Sequence, residues 1–130
     1  MKVLQPSNWP RPKGYANGVA ARGNLVFVSG VVGWNAQEQF AGNDFVTQVR
    51  QALLNIVEIL KQAEAKPEHI ARMTWYVLDK DEYISAAKEM GVAYREIIGR
   101  HYPAMTVVEV SGLIEASARV EIEVTAVVPE

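Results

Sequence analysis

The chain has 130 residues, of which 49% are hydrophobic and 22% are charged, and its formal net charge is −2. This length and apolar content predict one domain, spanning residues 1–130, that buries a core of its own. Lysines and arginines are scattered along the chain and form no basic patch, which argues against nucleic-acid binding. There are no cysteines, which excludes disulfides, thiolate metal sites and a cysteine nucleophile.

Targeting segments and cofactor motifs are also missing from the sequence. No apolar run approaches the roughly 18 residues that a membrane span needs. The opening stretch MKVLQPSNWPRPKG lacks the apolar segment of a signal peptide, so we expect a cytoplasmic protein. The only histidines, His69 and His101, lie in unrelated contexts and predict no metal site. No glycine-rich phosphate motif is present, and Ser29 lacks the surroundings of a hydrolase nucleophile, so no cofactor is expected.

The first half of the chain predicts strands followed by one amphipathic helix. Residues 5–14 contain three prolines and predict an irregular lead-in. Two apolar runs then flank Gly23-Asn24, a dipeptide typical of a two-residue hairpin turn. After a polar loop, Asn43 or Asp44 can cap a helix that ends near EAKPEH, because proline cannot continue it. The residues of its predicted apolar stripe are Phe45, Val49, Leu53, Ile56, Leu60 and Ala63.

The second half predicts a strand, a helix and two further strands. Residues 70–79 are rich in β-branched and aromatic side chains and indicate a strand, with Trp75 and Tyr76 in the core. An amphipathic helix is predicted over 81–100, where Gly91 indicates a close packing contact. Strands at MTVVEV and ARVEIEVTAVV complete the order β-β-α-β-α-β-β. The side chains of that helix expected to face inward are Tyr83, Ala87, Tyr94 and Ile98.

The final strand alternates between apolar and polar side chains, as a strand with two different environments does. The pattern predicts an α+β fold in which helices cover one face of a mixed sheet. The second face is too polar for a core, yet apolar strands lie around it. These two facts together indicate a subunit interface or a ligand cleft. The apolar side is Val120, Ile122, Val124, Ala126 and Val128, and the polar side is Arg119, Glu121, Glu123 and Thr125.

Five segments together resemble the reactive-intermediate deaminase family, called Rid or YjgF and often labelled endoribonuclease L-PSP. Their order and separations match over nearly the whole chain. The resemblance implies a chorismate-mutase-like fold assembled as a homotrimer, with the sheets lining a central barrel and three clefts between neighbouring subunits. The segments are GYANGV (14–19), LVFVSGVVG (25–33), QVRQALLNIVEILKQAEA (48–65), YPAMTVVEV (102–110) and VEIEVTAV (120–127).

The resemblance also implies a reaction and the residues that carry it. Deaminases of this family hydrolyse 2-imino or 2-enamino acids to 2-oxo acids and ammonia. In them an arginine directly after a Pro-Ala pair holds the substrate carboxylate, and here that position is Met105. Glu121 matches the glutamate associated with the attacking water and is the expected catalytic residue. The expected substrate-binding residues are Tyr15, Ser29, Gly30, Met105, Thr106 and Val107, together with Trp34 in the loop that could overhang the cleft.

Each of these residues also has a structural interpretation. Met105 is either a pocket wall that selects an apolar substrate or a flexible core filler. Glu121 either orients water as a general base or is an interface carboxylate paired with Arg119 or with a cation of a neighbouring chain. Glu123 lies on the same face and is either its acid–base partner or a solvated, ion-paired side chain.

The aromatic residues and His101 leave similar alternatives. Tyr15 is a cleft wall or an N-terminal packing residue, and Trp34 is a ligand contact or a loop anchor. His101 follows the second predicted helix and is either a cation at its C-terminus or, less in keeping with its position, a catalytic group.

Two functions therefore remain open for the cleft. The first is hydrolysis of an imine or enamine that is recognised without an arginine–carboxylate contact, such as an enamine from ring cleavage. Because Met105 donates no hydrogen bond, we expect a substrate with a larger hydrophobic or conjugated portion than a small 2-imino acid. The second is a trimer that binds a small metabolite without turnover. Ribonuclease activity, which one family label suggests, is disfavoured by the acidic charge balance.

Overall fold

A four-stranded mixed sheet packs against three helices in the computed structural model, which describes residues 1–130. The predicted α+β class is confirmed. No helix has the length and apolar content needed to cross a membrane. The strands are β1 (Lys2–Leu4), β2 (Gly18–Ala20), β3 (Asn24–Val32), β4 (Ile70–Val77), β5 (Ala104–Glu109) and β6 (Val120–Val128), and the helices are α1 (Phe45–Lys61), α2 (Lys80–Ser85) and α3 (Ala87–Ile97), with a 3-10 turn at Pro67–His69.

The strand order of the main sheet is β3-β6-β4-β5. Strand β6 pairs antiparallel with both β3 and β4, whereas β4 and β5 are parallel, with Met73 beside Met105 and Trp75 beside Val107. A parallel pair requires a crossover connection, and α2 and α3 supply it. Strand β5 is an edge strand because it comes last in the strand order. The helices of the crossover lie over the same side of the sheet as α1.

Helix α1 begins where the sequence predicts it. The Asp44 carboxylate accepts a hydrogen bond from the Thr47 backbone N–H at 3.0 Å, and this bond lowers the pKa of Asp44 below its usual value. The predicted stripe is buried as far as Leu60, but Ala63 lies beyond the helix and is exposed. Gln48 is also fully buried on this face, although its polarity had excluded it from the predicted stripe.

The single long helix predicted over 81–100 is wrong, because the chain forms two helices there. Ala86 has φ −89° and ψ 3°, which interrupts the helical backbone between α2 and α3. The Asp79 side chain caps α2 by accepting from the backbone N–H groups of Asp81 and Glu82. Of the residues expected to face inward, Tyr94 and Ile98 are buried, Tyr83 is half-buried and Ala87 is exposed.

The predicted hairpin at Gly23-Asn24 is also wrong. Strand β2 pairs with β1 in a separate two-stranded sheet, and β3 pairs with β6. Gly23 does adopt a positive φ of 148°, but it does so at a turn between two sheets. A Cβ at Gly23 would overlap the carbonyl of Val128, so the residue also allows a close approach to the last strand.

The two faces of the main sheet differ as the alternation of β6 predicts. Val120, Ile122, Val124 and Ala126 are buried beneath the helices, on what we call the covered face. The opposite side, called the open face, has no layer over it and carries Leu25, Phe27, Thr74, Tyr76, Thr106, Glu121, Glu123 and Thr125. Trp75 is in the core as expected, but the same expectation for Tyr76 is wrong, because neighbouring residues of a strand point to opposite faces.

Candidate functional site

The predicted site residues divide between the two faces of the sheet. Met105 and Val107 have the register of Met73 and Trp75 and therefore point to the covered face. Glu121 lies beside Tyr76 and points to the open face. In a single chain these two groups cannot contact the same small molecule, since the sheet itself lies between them.

The covered-face group lines a pocket of about 500 Å³ between β4, β5, α2 and α3. Aromatic rings form part of its walls: those of Tyr94 and Tyr102 stack with centroids 5.7 Å apart, and Trp75 meets Tyr83 edge-on at 6.1 Å. No carboxylate or imidazole reaches this pocket from the same chain. The residues that line it are Lys13, Gly14, Tyr15, Trp75, Tyr83, Ala87, Met90, Gly91, Tyr94, Arg95, Tyr102, Met105 and Val107.

Tyr15 reaches this pocket because the preceding irregular segment runs along the start of β5. The backbone N–H of Ala16 donates to the carbonyl of Pro103 at 2.9 Å, and Ala16 forms a parallel bridge with Ala104. Tyr15 is 42% exposed, so its ring is a wall of the pocket with a face open to solvent. This arrangement favours the cleft-wall interpretation of Tyr15 over simple packing.

Met105 is half-buried between the core and the pocket. Its thioether contributes to the apolar wall, and it has no hydrogen-bond donor to offer a ligand. The pocket-wall and packing interpretations of Met105 therefore both describe the same side chain. Val107 extends this wall along β5 toward Trp75.

The phenols of Tyr83 and Tyr94 in this pocket stay protonated across the physiological range. Burial raises the pKa of Tyr83 above its usual value, and burial and the neighbouring Tyr102 raise the pKa of Tyr94. The Tyr94 hydroxyl donates to the backbone carbonyl of His101 at 2.6 Å. Tyr94 is thus committed to holding the segment that leads into β5.

On the open face, Glu121 lies against Gly30. Strand β3 has an irregularity between Val28 and Val31 that brings Gly30 beneath the Glu121 side chain. A Cβ at Gly30 would overlap the Glu121 carboxylate, so a glycine is needed for this approach. The Glu121 carboxylate makes no hydrogen bond and no ion pair within the chain. It is the carboxylate on this face that remains free for a ligand or water.

The neighbouring Glu123 is occupied instead. The Tyr76 hydroxyl donates to Glu123 Oε1 at 2.5 Å. Ser29 and Thr74 lie in the same shallow depression as Glu123, and Thr106 is exposed farther along the face. The arrangement favours a supporting position for Glu123 over a carboxylate pair with Glu121.

Arg119 and His101, two further candidates from the sequence, each bind another residue of the chain and not Glu121. Arg119 Nε donates to Glu82 Oε1 at 2.8 Å, which raises the pKa of Arg119, so within the chain it does not pair with Glu121. His101 Nε2 lies 2.7 Å from the carbonyl of Ile70, and it must carry the proton because a carbonyl can only accept. His101 therefore ties the end of the crossover to the start of β4, which is a structural role.

Trp34 anchors its own loop. Its ring lies 5.8 Å from that of Phe40, the two residues form an antiparallel bridge, and Asn55 Nδ2 donates to the Trp34 carbonyl at 2.7 Å. Within one chain Trp34 does not line the pocket that contains Tyr15. Its predicted contact with substrate stays a prediction that requires a neighbouring subunit.

Sequence reasoning missed most of the pocket wall. The sequence predicts only that Tyr83 and Tyr94 face inward from a helix. The inward side of a helix also supplies one wall of any pocket that lies between that helix and the sheet. Arg95 carried no signal, since a lone arginine on a helix resembles any solvated surface residue. One pattern could have indicated the pocket: Tyr94 near the end of the helix and Tyr102 just after it are two aromatic residues that stack on each other.

Comparison with known proteins gives a consistent result. The sequence profile of the family described as Endoribonuclease L-PSP matches residues 8–128. A RutC family protein of Aquifex aeolicus is 33% identical over 98% of this chain and 99% of its own length. The 2-iminobutanoate/2-iminopropanoate deaminase of Escherichia coli is 29% identical over 97% of both chains. The crystal structure of YyfB, a Rid family protein of unknown function from Yersinia pestis, covers 98% of both chains with a TM-score of 0.83 and 26% identity.

Proposed function

Because this chain belongs to the endoribonuclease L-PSP family, which includes imine deaminases and Rid proteins, we propose that it hydrolyses a reactive imine or enamine. The observation that carries the proposal is the free carboxylate of Glu121 beside Gly30. Arg119, the partner within the chain that a structural Glu121 was expected to have, is bound to Glu82. A carboxylate without a partner, next to exposed backbone, is available to orient and deprotonate water.

The reaction assigns one step to Glu121. Water adds to the carbon of the protonated imine, C=NH2+, while Glu121 accepts one proton of the water, giving a neutral carbinolamine. Glu121 then returns this proton to nitrogen, the C–N bond breaks with loss of ammonia, and the hydroxyl proton is released to solvent as the carbonyl forms. No metal or redox partner is needed to balance this step, and an enamine enters it after protonation at carbon.

The proposed site requires a second copy of the chain. The pocket that contains Tyr15, Met105 and Val107 opens on the covered side, and Glu121, Gly30 and Ser29 lie on the open face. A trimer in which the open faces line a barrel would bring the pocket of one subunit against the open-face edge of the next. Exposed apolar side chains support this assembly, since Leu25 is 61% and Phe27 is 72% exposed on the open face.

The substrate of this site carries a larger apolar or conjugated portion than a small 2-imino acid. An aromatic pocket of about 500 Å³ accommodates such a group, and Met105 completes its apolar wall. We propose that this activity takes place in the cytoplasm.

The test generates imines in the assay from phenylalanine or 2-aminobutyrate with an amino-acid oxidase, while catalase removes peroxide. Ammonia release above the spontaneous rate should be linear in protein and faster for the aromatic imine. Glu121→Gln should abolish it, and Glu123→Gln, two residues along the same face, should retain most of it. Ammonia release by Glu121→Gln at the parent rate would refute the mechanism.

A trimer that binds a metabolite without turnover is the second candidate. The observation in its favour is that no carboxylate or imidazole of the same chain lines the aromatic pocket. Such a protein would be stabilised against heat in a saturable way by the ligand and would release no ammonia from any imine.

A further inference from the structure

The aromatic pocket contains two cationic side chains, and neither comes from strand β5. Arg95 projects from α3 and Lys13 from the segment before Tyr15, and both line the pocket. Neither forms an ion pair with any residue of the chain, whose salt bridges are Arg50–Glu96, Lys61–Glu58 and Arg119–Glu82. The pocket is therefore apolar at Met105 and Val107 of β5, and it has one cation on the α3 wall and one on the segment before Tyr15.

The Arg95 guanidinium lies beside Gly91. The two residues are four apart on α3 and share one face of the helix. A Cβ built at Gly91 would lie 3.2 Å from Arg95 Nη1, so the guanidinium rests over the position where any other residue would carry a side chain. Glycine inside a helix is unfavourable relative to alanine. Its presence here leaves room for Arg95 to fold back along the helix toward the pocket.

We propose that Arg95, held over Gly91 and assisted by Lys13, binds the anionic group of the substrate in this pocket. The substrate class is then an aromatic or conjugated carboxylate whose body packs between Tyr15, Tyr83 and Met105. This inference rests on the proposed function for the same pocket and adds to it the position of the anion. Because Arg95, the main anion contact, lies on α3, the bound molecule must be long enough to extend from α3 toward Met105 and Val107 of β5.

Guanidinium chemistry suits this assignment. An arginine presents a planar fork of donors that matches a carboxylate in two parallel hydrogen bonds. Both carboxylate oxygens would find donors, whereas the apolar wall at Met105 offers none. A small 2-imino acid bound at Arg95 would not contact the β5 wall. A larger carboxylate with the same charge would contact it, and this explains the preference for the larger substrate.

The test is equilibrium binding by calorimetry, which does not depend on turnover. The probes are phenylpyruvate, an aromatic 2-oxo acid, and 4-phenyl-2-butanone, an uncharged ketone of similar size. The parent should bind phenylpyruvate more tightly than the ketone. Arg95→Gln should weaken phenylpyruvate binding roughly three- to tenfold and leave ketone binding unchanged, and Arg95→Lys should lose less.

The matched control is Lys88→Gln, which removes the same charge from the same helix at an exposed residue that does not line the pocket. It should bind both probes like the parent. Gly91→Ala separates position from stability, because alanine favours the helix but crowds the guanidinium. This variant should melt no lower than the parent and still lose affinity for phenylpyruvate alone.

Three results would overturn the proposal: no measurable binding of phenylpyruvate to the parent at millimolar concentration, no preference for it over the ketone, or unchanged affinity in Arg95→Gln. Unchanged phenylpyruvate affinity in Gly91→Ala would refute the positioning by Gly91. The outcome is separable from that of the hydrolysis test. If Glu121→Gln releases ammonia like the parent while Arg95→Gln loses phenylpyruvate, the hydrolytic mechanism fails and the anion site stands.

Discussion

The Tyr76 hydroxyl donates a hydrogen bond of 2.5 Å to the Glu123 carboxylate, joining β4 and β6 on the open face of the sheet. The bond exists only while the phenol is neutral. It therefore raises the pKa of Tyr76 above 10.0, with smaller contributions from desolvation and from the charges of Glu123 and Glu121. This pairing leaves Glu121 as the unoccupied carboxylate of that face.

The first prediction concerns the pH dependence of this pair. A raised pKa in the folded state means that the contribution to stability is fully present below the unfolded pKa, near 10, and is lost as pH rises through the folded pKa. The difference in unfolding free energy between the parent and Tyr76→Phe should therefore be constant up to about pH 10 and shrink above it. Denaturant titrations at a series of pH values measure this difference.

Spectroscopic titration of the tyrosines provides its control. In Glu123→Gln, the absorbance of one of the five tyrosinates should develop at lower pH than in the parent. Superimposable titration curves for the two proteins would show that the hydrogen bond to Glu123 is not the main cause of the raised pKa of Tyr76.

The second prediction concerns Gln48, a polar side chain that is 1% exposed in helix α1. Its amide donates to the carbonyls of Gly42 and Ser117, and its carbonyl accepts from the Arg119 backbone N–H at 2.8 Å. Gln48→Met keeps the volume but leaves these groups unpaired, so we expect a loss of about 1–3 kcal/mol in unfolding free energy. Chemical denaturation at fixed protein concentration measures it.

Gln51→Met is the matched control for that loss. Gln51 lies one turn along the same helix, and its amide contacts only Asn55. A change below about 0.5 kcal/mol is expected there. Equal losses in the two variants would mean that the three hydrogen bonds of Gln48 add nothing specific.

The third prediction concerns assembly. Phe27 is 72% exposed on the open face, where the proposed trimer would bury it. Phe27→Asp should dissociate the trimer, because an unpaired charge would be buried in the interface. Light scattering reads out the mass. Ile84→Asp, at a 65% exposed residue of α2, should leave the mass unchanged. A parent protein that is monomeric at micromolar concentration would refute both the trimer and the shared site.

The fourth prediction concerns Met105. Arginine at this position would place a donor on the β5 wall, where related deaminases are expected to hold a substrate carboxylate. A charge-assisted contact contributes about 1.5–3 kcal/mol, so Met105→Arg should raise kcat/KM for 2-iminobutanoate roughly ten- to a hundredfold. The measurement is ammonia release from the imine generated in the assay, with the parent beside it.

Val92→Arg is the control for added charge, since Val92 is exposed on α3 and does not line the pocket. It should change activity little. The argument about Met105 fails if the parent hydrolyses 2-iminobutanoate as fast as Met105→Arg does.

Local pattern was sufficient for much of this fold. The stripe of α1, the alternation of β6 and the cap at Asp44 follow from periods and hydrogen-bonding groups that a few neighbouring residues define. The site candidates Tyr15, Glu121 and Met105 have a different origin, because they follow from a family likeness that extends over nearly the whole chain and not from local pattern.

Pairing between distant segments was decided by the tertiary structure. Gly23-Asn24 has the sequence of a hairpin turn, yet β3 pairs with β6, because the sheet offers β3 a buried antiparallel neighbour that β2 does not provide. Tyr76 is an aromatic residue in an apolar segment, as core residues often are, but its position in β4 directs its side chain to the open face. Arg95 became a candidate through a missing Cβ at Gly91 and its place over an aromatic pocket. Such relationships depend on which surfaces meet in three dimensions, and residue identity along the chain does not determine that.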